Sequence, residues 1–374
     1  MSRLAGRYDE SHVRNRPNPR GSRPRTKQRP SHEDAVPALV TAVDRGRYTL
    51  LVGEGEPTER TITSMRAREL GRERVVCGDR VDVVGDTSGD PGTLARIVRV
   101  AERATVLRRT ADDTDPVERV IVANADQLVV VTALADPEPR TRMIDRCVAA
   151  AYVAGMDVLL CLTKADLASP DELVALYVPI GVEVVVTSFT QEADDADADP
   201  APSGSTGGRE RGIRGLEEVR RRLAGRTSVL VGHSGVGKST LVNALVPDAA
   251  RATGGVNDVT GRGRHTSSSA VVLRLPGRDG WVIDTPGVRS FGLAHVSPDD
   301  LLRAFADLSD VATDRCPRGC SHAADAPDCA LDEWVQEGAE DGTPLAPGRT
   351  ERAARVDSFR RLLAARTSAA TVQP

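Results

Sequence analysis

Three clusters of residues in this chain have the types and spacing to do chemistry. The first is VGHSGVGKST, residues 231–240, which contains Gly232-x4-Gly237-Lys238-Ser239. An apolar run, TSVLV, precedes it and TLVNALV follows it. That order predicts a strand, a glycine-rich turn and a helix. Glycines allow the backbone N–H groups of the loop, Gly232, His233, Ser234, Gly235, Val236 and Gly237, to wrap phosphate oxygens. The helix N-terminus, carrying Thr240 in its first turn, adds partial positive charge at the same place. Lys238 is expected on the outer phosphates and Ser239 on a Mg2+ ion. Such a loop names neither the nucleotide nor the reaction.

The second cluster lies around it. WVIDTPG, residues 281–287, ends an apolar strand with Asp284, placed to hold Mg2+ from the side opposite Ser239, and the N–H of Gly287 is placed to touch the terminal phosphate. Between the two motifs runs GGVNDVTGRGRHTSSS. A loop that closes over Mg2+ with a threonine hydroxyl has this composition. Thr266 is the candidate, Thr260, Ser267 and Ser268 are rivals, and an ordinary solvated loop is the plainer reading. Where Ras-like GTPases orient the attacking water with a glutamine, this chain has Val288, which cannot hydrogen-bond. His265 is the nearest polar candidate for that task.

Upstream, LLCLTKADL ends another apolar run with Thr163, Lys164 and Asp166. An aspartate carboxylate can accept from both N1–H and N2–H2 of guanine, a donor pair that adenine lacks. VVVTSF then places Ser188 where a second base-contacting loop would stand. The order is base loop, second base loop, phosphate loop, mobile-threonine loop, DTPG. In an ordinary GTPase the phosphate loop comes first. A doubly wound sheet tolerates this rotation, because all these loops leave the carboxyl ends of strands. The motifs therefore predict a circularly permuted GTPase that hydrolyses GTP to GDP and phosphate. The readings left beside it are an ATP-using phosphotransferase and a nucleotide-dependent RNA-binding protein.

The third cluster is CPRGCSHAADAPDC, offering Cys316, Cys320, His322 and Cys329. Three thiolates and an imidazole complete a tetrahedral shell with no open position, the signature of a structural zinc. Cys77, Cys147 and Cys161 lie in apolar runs and are expected to be packing residues.

The elements that must position these groups follow from patterning. Residues 1–34 carry little apolar pattern, and residues 1–30 hold nine Arg or Lys against Asp9 and Glu10. This is expected to be a disordered basic arm, either a solubility tail or a tracker of RNA phosphates. Residues 35–110 show short runs rich in Val, Leu, Ile and Thr, separated by turn residues, the pattern of a small all-β barrel. Residues 111–295 alternate buried-strand and helix patterns, as in an α/β parallel sheet covered on both faces. They are interrupted at 191–210 by an acidic, Gly- and Pro-rich insertion that cannot pack. Residues 296–366 read as a small α-helical, metal-held domain, with Ser297 and Asp300 at capping-box spacing. Residues 367–374 are expected to be a disordered tail. Aromatics are only 3 % of the chain and the net charge is −4, so the whole chain does not advertise single-strand stacking or nucleic-acid binding. No apolar run approaches the roughly 18 residues of a membrane span, and the N-terminus lacks a signal-type apolar core. The expectation is a cytoplasmic protein without a membrane partner.

The rotated motif order, GHSGVGKSTLVNAL, GRHTSS, DTPGVRSFGL and the Cys/His cluster together resemble the ribosome small-subunit-dependent GTPase A family, over roughly residues 36–366. The resemblance implies an OB-fold barrel, then the permuted GTPase domain, then a helical zinc domain. It further implies slow GTP hydrolysis stimulated by the small ribosomal subunit and its rRNA. The expected role is late maturation of that subunit, with release on hydrolysis, by a protein acting as a monomer. In that family a histidine beside the mobile threonine assists hydrolysis, which bears on His265. The chain departs from the family pattern at Thr163, where Asn is usual, and in the 191–210 insertion. It also departs in the spacing of its cluster: the family's first two cysteines stand one residue farther apart and its last stands nearer.

Overall fold

The computed structural model describes residues 32–71, 73–110, 118–189, 212–247, 270–285, 291, 293, 296–339 and 348–367. The basic arm, apart from its last residues, lies outside the described residues, and so does the whole of the 191–210 insertion.

Five strands form the first module: β1 (Val36–Asp44), β2 (Arg47–Val52), β3 (Arg60–Arg66), β4 (Arg80–Gly85) and β5 (Ala95–Val100). They pair in the order β1-β2-β3-β5-β4 and close through β4 onto β1, with β3–β5 the single parallel pair. This is the closed OB-type barrel, in which inward positions alternate with outward ones. Val40, Leu50, Ile62, Val83 and Ile97 fill it. The fully buried Asp79 braces the barrel, accepting from Val76 N–H at 2.8 Å and, side-on, from Arg103 Nε and Nη2 at 2.7 and 2.8 Å.

The stretch 118–134 holds two strands. β6 (Val106–Thr110) pairs antiparallel with β7 (Glu118–Ala123), and β8 (Gln127–Ala133) enters the main sheet. Asn124, at φ 55, breaks the run. Its side chain donates to Gly78 O and accepts from Ala104 N–H, stitching the turn to the barrel.

The α/β module continues with α1 (Thr141–Val153), β9 (Asp157–Thr163), α2 (Asp171–Tyr177), β10 (Glu183–Val186), the two-residue strands β11 (Ser188–Phe189) and β12 (Ile213–Arg214), α3 (Leu216–Leu223), β13 (Thr227–Val231), α4 (Lys238–Leu245), β14 (Val271–Arg274) and β15 (Trp281–Asp284). Strands β10-β9-β8-β13-β15 are parallel neighbours in that order. Every residue of β8 is buried, as a central strand covered on both faces requires. β14 is antiparallel to β15 and meets β1 at Ala42↔Val271, so barrel and sheet are hydrogen-bonded into one surface. Glu59 pairs with Arg274 at 2.7 and 2.8 Å, and Trp281 Nε1 donates to Glu54.

The last module is helical: α5 (Pro298–Arg303), α6 (Ala306–Arg315), α7 (Ala330–Gln336) and α8 (Arg349–Thr367). The expected capping box is formed, since Ser297 Oγ accepts from Asp300 N–H while the Asp300 carboxylate accepts from Ser297 N–H. Val356, Phe359, Leu362 and Leu363 are buried on one face of α8. Phe359 and Tyr152 meet Phe305 edge-on, and the helices share one continuous core with α1 and β8. Among the described residues no helix is long and apolar enough to cross a membrane.

Candidate functional site

The loops of interest leave the carboxyl ends of β8, β9, β10, β13 and β15, which lie side by side in one sheet. After β13 the chain must turn sharply without striking β8. A Cβ on Gly232 would stand 2.6 Å from the Val131 carbonyl oxygen, so glycine is required there. Gly237, at φ 92, then caps α4. Lys238, the first residue of α4, contacts the Asp284 carboxylate at the end of β15 through its ammonium group. The two groups expected at the phosphates and at Mg2+ thus meet. Ser234, Ser239 and Thr240 are exposed around them. His233 is buried. Its Nδ1 lies 2.9 Å from the Ser234 carbonyl oxygen, and its Nε2 has no partner among the described residues.

The base-reading segment reaches the same place from β9. Thr163 ends that strand, and its buried hydroxyl donates to the Val236 carbonyl in the phosphate loop at 2.6 Å. Thr132 O lies 3.3 Å from the same hydroxyl. With one proton to give, the hydroxyl spends it on the shorter bond. Lys164, at φ 60, turns out of the strand and its ammonium donates to the Asp136 carbonyl. Asp166 stands exposed on the turn closed by Leu167 N–H to Lys164 O. Ala165 N–H donates to Thr187 O at 3.1 Å, locking this loop to the one carrying Ser188. Thr163, Lys164, Ser188, Gly237 and Thr240 line a single pocket.

Phe189, Ile213 and Leu241 line that pocket as well and were not expected from sequence. The aromatic directly after Ser188 is the signal that could have marked the first; nothing local marks Ile213, which reaches the pocket by pairing with Phe189. His265, Thr266 and Gly287 lie outside the described residues, as do Thr260, Ser267, Ser268 and Val288.

In the helical module the ligand atoms of Cys316, Cys320, His322 and Cys329 all lie within 4.8 Å of one another. His322 Nδ1 is 3.6 Å from Cys316 Sγ and 3.9 Å from Cys329 Sγ. Tetrahedral zinc with bonds of about 2.3 Å to sulfur and 2.0 Å to nitrogen sets ligand edges of about 3.5–3.8 Å, so the donor set fits that ion. Burial holds the His322 ring below its ordinary pKa, which favours the neutral form a metal needs. Arg360 donates to the His322 carbonyl and pairs with Asp332, fixing the ligand loop against α8. Cys77, Cys147 and Cys161 are buried, and burial pushes each thiol up to about 12.

A closed OB-type barrel, a parallel sheet whose base loops precede its phosphate loop, and a Cys3His cluster define a circularly permuted nucleotide-binding protein of the GTPase type. The chain belongs to the RsgA GTPase family, whose model matches residues 100–200 and 209–294, breaking within the Gly- and Ser-rich part of the insertion. It is 32 % identical over 313 residues to the small ribosomal subunit biogenesis GTPase RsgA of Chlorobaculum parvum, covering 82 % of this chain and 93 % of that one. Its fold is similar to the crystal structure of YjeQ from Thermotoga maritima, with TM-score 0.57, 24 % identity and coverage of 88 % and 99 % of the two chains. It is similar too to that of YloQ, described as a circularly permuted GTPase, with TM-score 0.58, 20 % identity and coverage of 90 % and 97 %.

Proposed function

We propose that this chain hydrolyses GTP to GDP and phosphate and acts in biogenesis of the small ribosomal subunit, which stimulates the hydrolysis and from which hydrolysis releases it. The reading is carried by the 2.6 Å bond from Thr163 to Val236, which joins a TKAD loop and a phosphate loop around one pocket in reversed chain order. The names of its relatives support the ribosomal assignment.

In this reading Asp166 accepts from the guanine edge, with Thr163, Lys164 and Ser188 around the base. The phosphate-loop amides from Gly232 to Gly237 cradle the phosphates, and Thr240 flanks them on α4. Lys238 leaves Asp284 to neutralise the outer phosphates, which frees that carboxylate. Ser239, Thr266 and Asp284 would hold Mg2+, which supplies further neutralisation of phosphate charge. Gly287 contacts the terminal phosphate and His265 orients the attacking water. The Cys316, Cys320, His322 and Cys329 cluster holds one structural zinc. The working divisions are the arm 1–34, barrel 35–110, GTPase domain 111–295, zinc domain 296–366 and tail 367–374. The protein acts as a monomer in the cytoplasm, where the subunit matures.

The test is GTP hydrolysis with purified small subunits titrated in, for wild type and Lys238→Ala. Stimulation of the wild type alone is expected. A flat response removes the ribosomal assignment, and equal rates in the two proteins remove the enzyme.

A further inference from the structure

The loop after β10 is held firmly and then departs from the sheet. Thr187 N–H donates to Leu162 O at 2.7 Å, and Thr187 O accepts from Ala165 N–H. Immediately beyond, Ser188 pairs with Arg214 and Phe189 with Ile213. The returning strand is pressed back against β10 at Gly215, where a Cβ would lie 2.3 Å from the Val186 carbonyl oxygen. A short ribbon therefore stands at the pocket. Phe189 and Ile213 line it from the ribbon, while Thr163, Gly237 and Leu241 line it from the sheet and from α4. Phe189 is 38 % exposed, a large ring left partly in water at the rim.

The pocket encloses about 20 Å³, room for roughly one water. That is less than a purine occupies, so a base sits partly at the open rim or moves a wall. The Thr163–Gly237 side is fixed by a central strand and by the bond to Val236. The ribbon is two residue pairs long and is the wall with least to hold it. Edge hydrogen bonds decide which base is accepted, but an aromatic face supplies affinity to any base. Thr163 has already spent its proton on the phosphate loop.

We propose that Phe189, backed by Ile213, closes on the face of the bound base as an apolar clamp and sets the affinity of this site for the nucleoside. The inference rests on the reading of the pocket as a guanine-nucleotide site. Stacking of this kind predicts that Phe189→Ala weakens GDP binding roughly tenfold, chiefly through faster dissociation, while Phe189→Tyr retains wild-type affinity. Both are measured by titration calorimetry and by displacement of a fluorescent GDP. In Phe189→Trp, the added fluorescence over the wild-type background is expected to change on GDP addition and to stay constant on addition of inorganic phosphate. If wild type does not bind GDP, the functional reading fails and the clamp with it. If wild type binds GDP while Phe189→Ala binds it equally well, or the Phe189→Trp signal ignores GDP, the clamp alone is overturned.

Discussion

Arg361 on α8 reaches into the α/β module and meets a carboxylate that has almost no access to water. Asp145 is 3 % exposed and accepts from Arg361 Nε at 3.0 Å and from the Tyr177 hydroxyl at 2.9 Å. Arg361 also donates to Leu176 O and lies over the Tyr177 ring. Arg361→Ala leaves the buried charge without its cation. Breaking a buried pair from one side costs about 3–5 kcal/mol, and the partial exposure of the arginine places this case near 3. The pH dependence follows from the same geometry. Burial already raises the Asp145 carboxyl above its ordinary pKa, and Arg361 is the strongest influence opposing that rise. Without Arg361 the folded value climbs further above the unfolded one. Between those two values the folded state binds more protons than the unfolded state, so stability falls as pH rises through the folded pKa. The deficit of Arg361→Ala should therefore be largest above the variant's folded pKa and shrink as pH falls toward the ordinary carboxylate value. Urea denaturation followed by tryptophan fluorescence measures it, alongside Asp145→Asn and the double variant. The double variant should recover a coupling of about 1 kcal/mol or more. A deficit under about 1 kcal/mol, a deficit independent of pH, or strict additivity would refute the reasoning.

Thr163→Val removes the donor to Val236 O and should weaken GDP binding by about 1–2 kcal/mol, roughly five- to thirtyfold, whereas Thr163→Ser should not; calorimetry decides, and equal affinities would show that the two loops hold without this bond. Cys329→Ser should abolish bound zinc, measured by elemental mass spectrometry, and raise amide exchange through α7, which begins at the next residue; zinc retained at the wild-type level would exclude the thiolate as a ligand. Gly78→Ala should cost about 2 kcal/mol or more, because Gly78 holds φ +86 and a Cβ there would stand 2.0 Å from the Ala123 carbonyl oxygen; an unchanged urea midpoint would mean that the junction between β7 and the barrel can shift freely.

Much of the site was legible because its parts are local. The phosphate loop, the Ser297 capping box and the Cys/His cluster each lie within a few residues of chain, and their chemistry follows from spacing. The rotated motif order pointed to a permuted sheet because only the carboxyl ends of neighbouring strands could gather those loops. Strand division was harder to read. The run around Asn124 is apolar on both sides, and the break comes from a left-handed residue whose side chain is engaged by the barrel.

The sequence by itself determined the periodicities, the turns and the identity of the reactive groups, since these depend on covalent neighbours. Tertiary structure alone decided which distant groups meet. It joined Thr163 to Val236, faced Phe189 with Ile213, buried Asp145 against Arg361 and merged barrel and sheet at Ala42 and Val271. Those pairings depend on how close two packed elements come, and on which polar atoms are thereby cut off from water. No stretch of neighbouring residues carries that information.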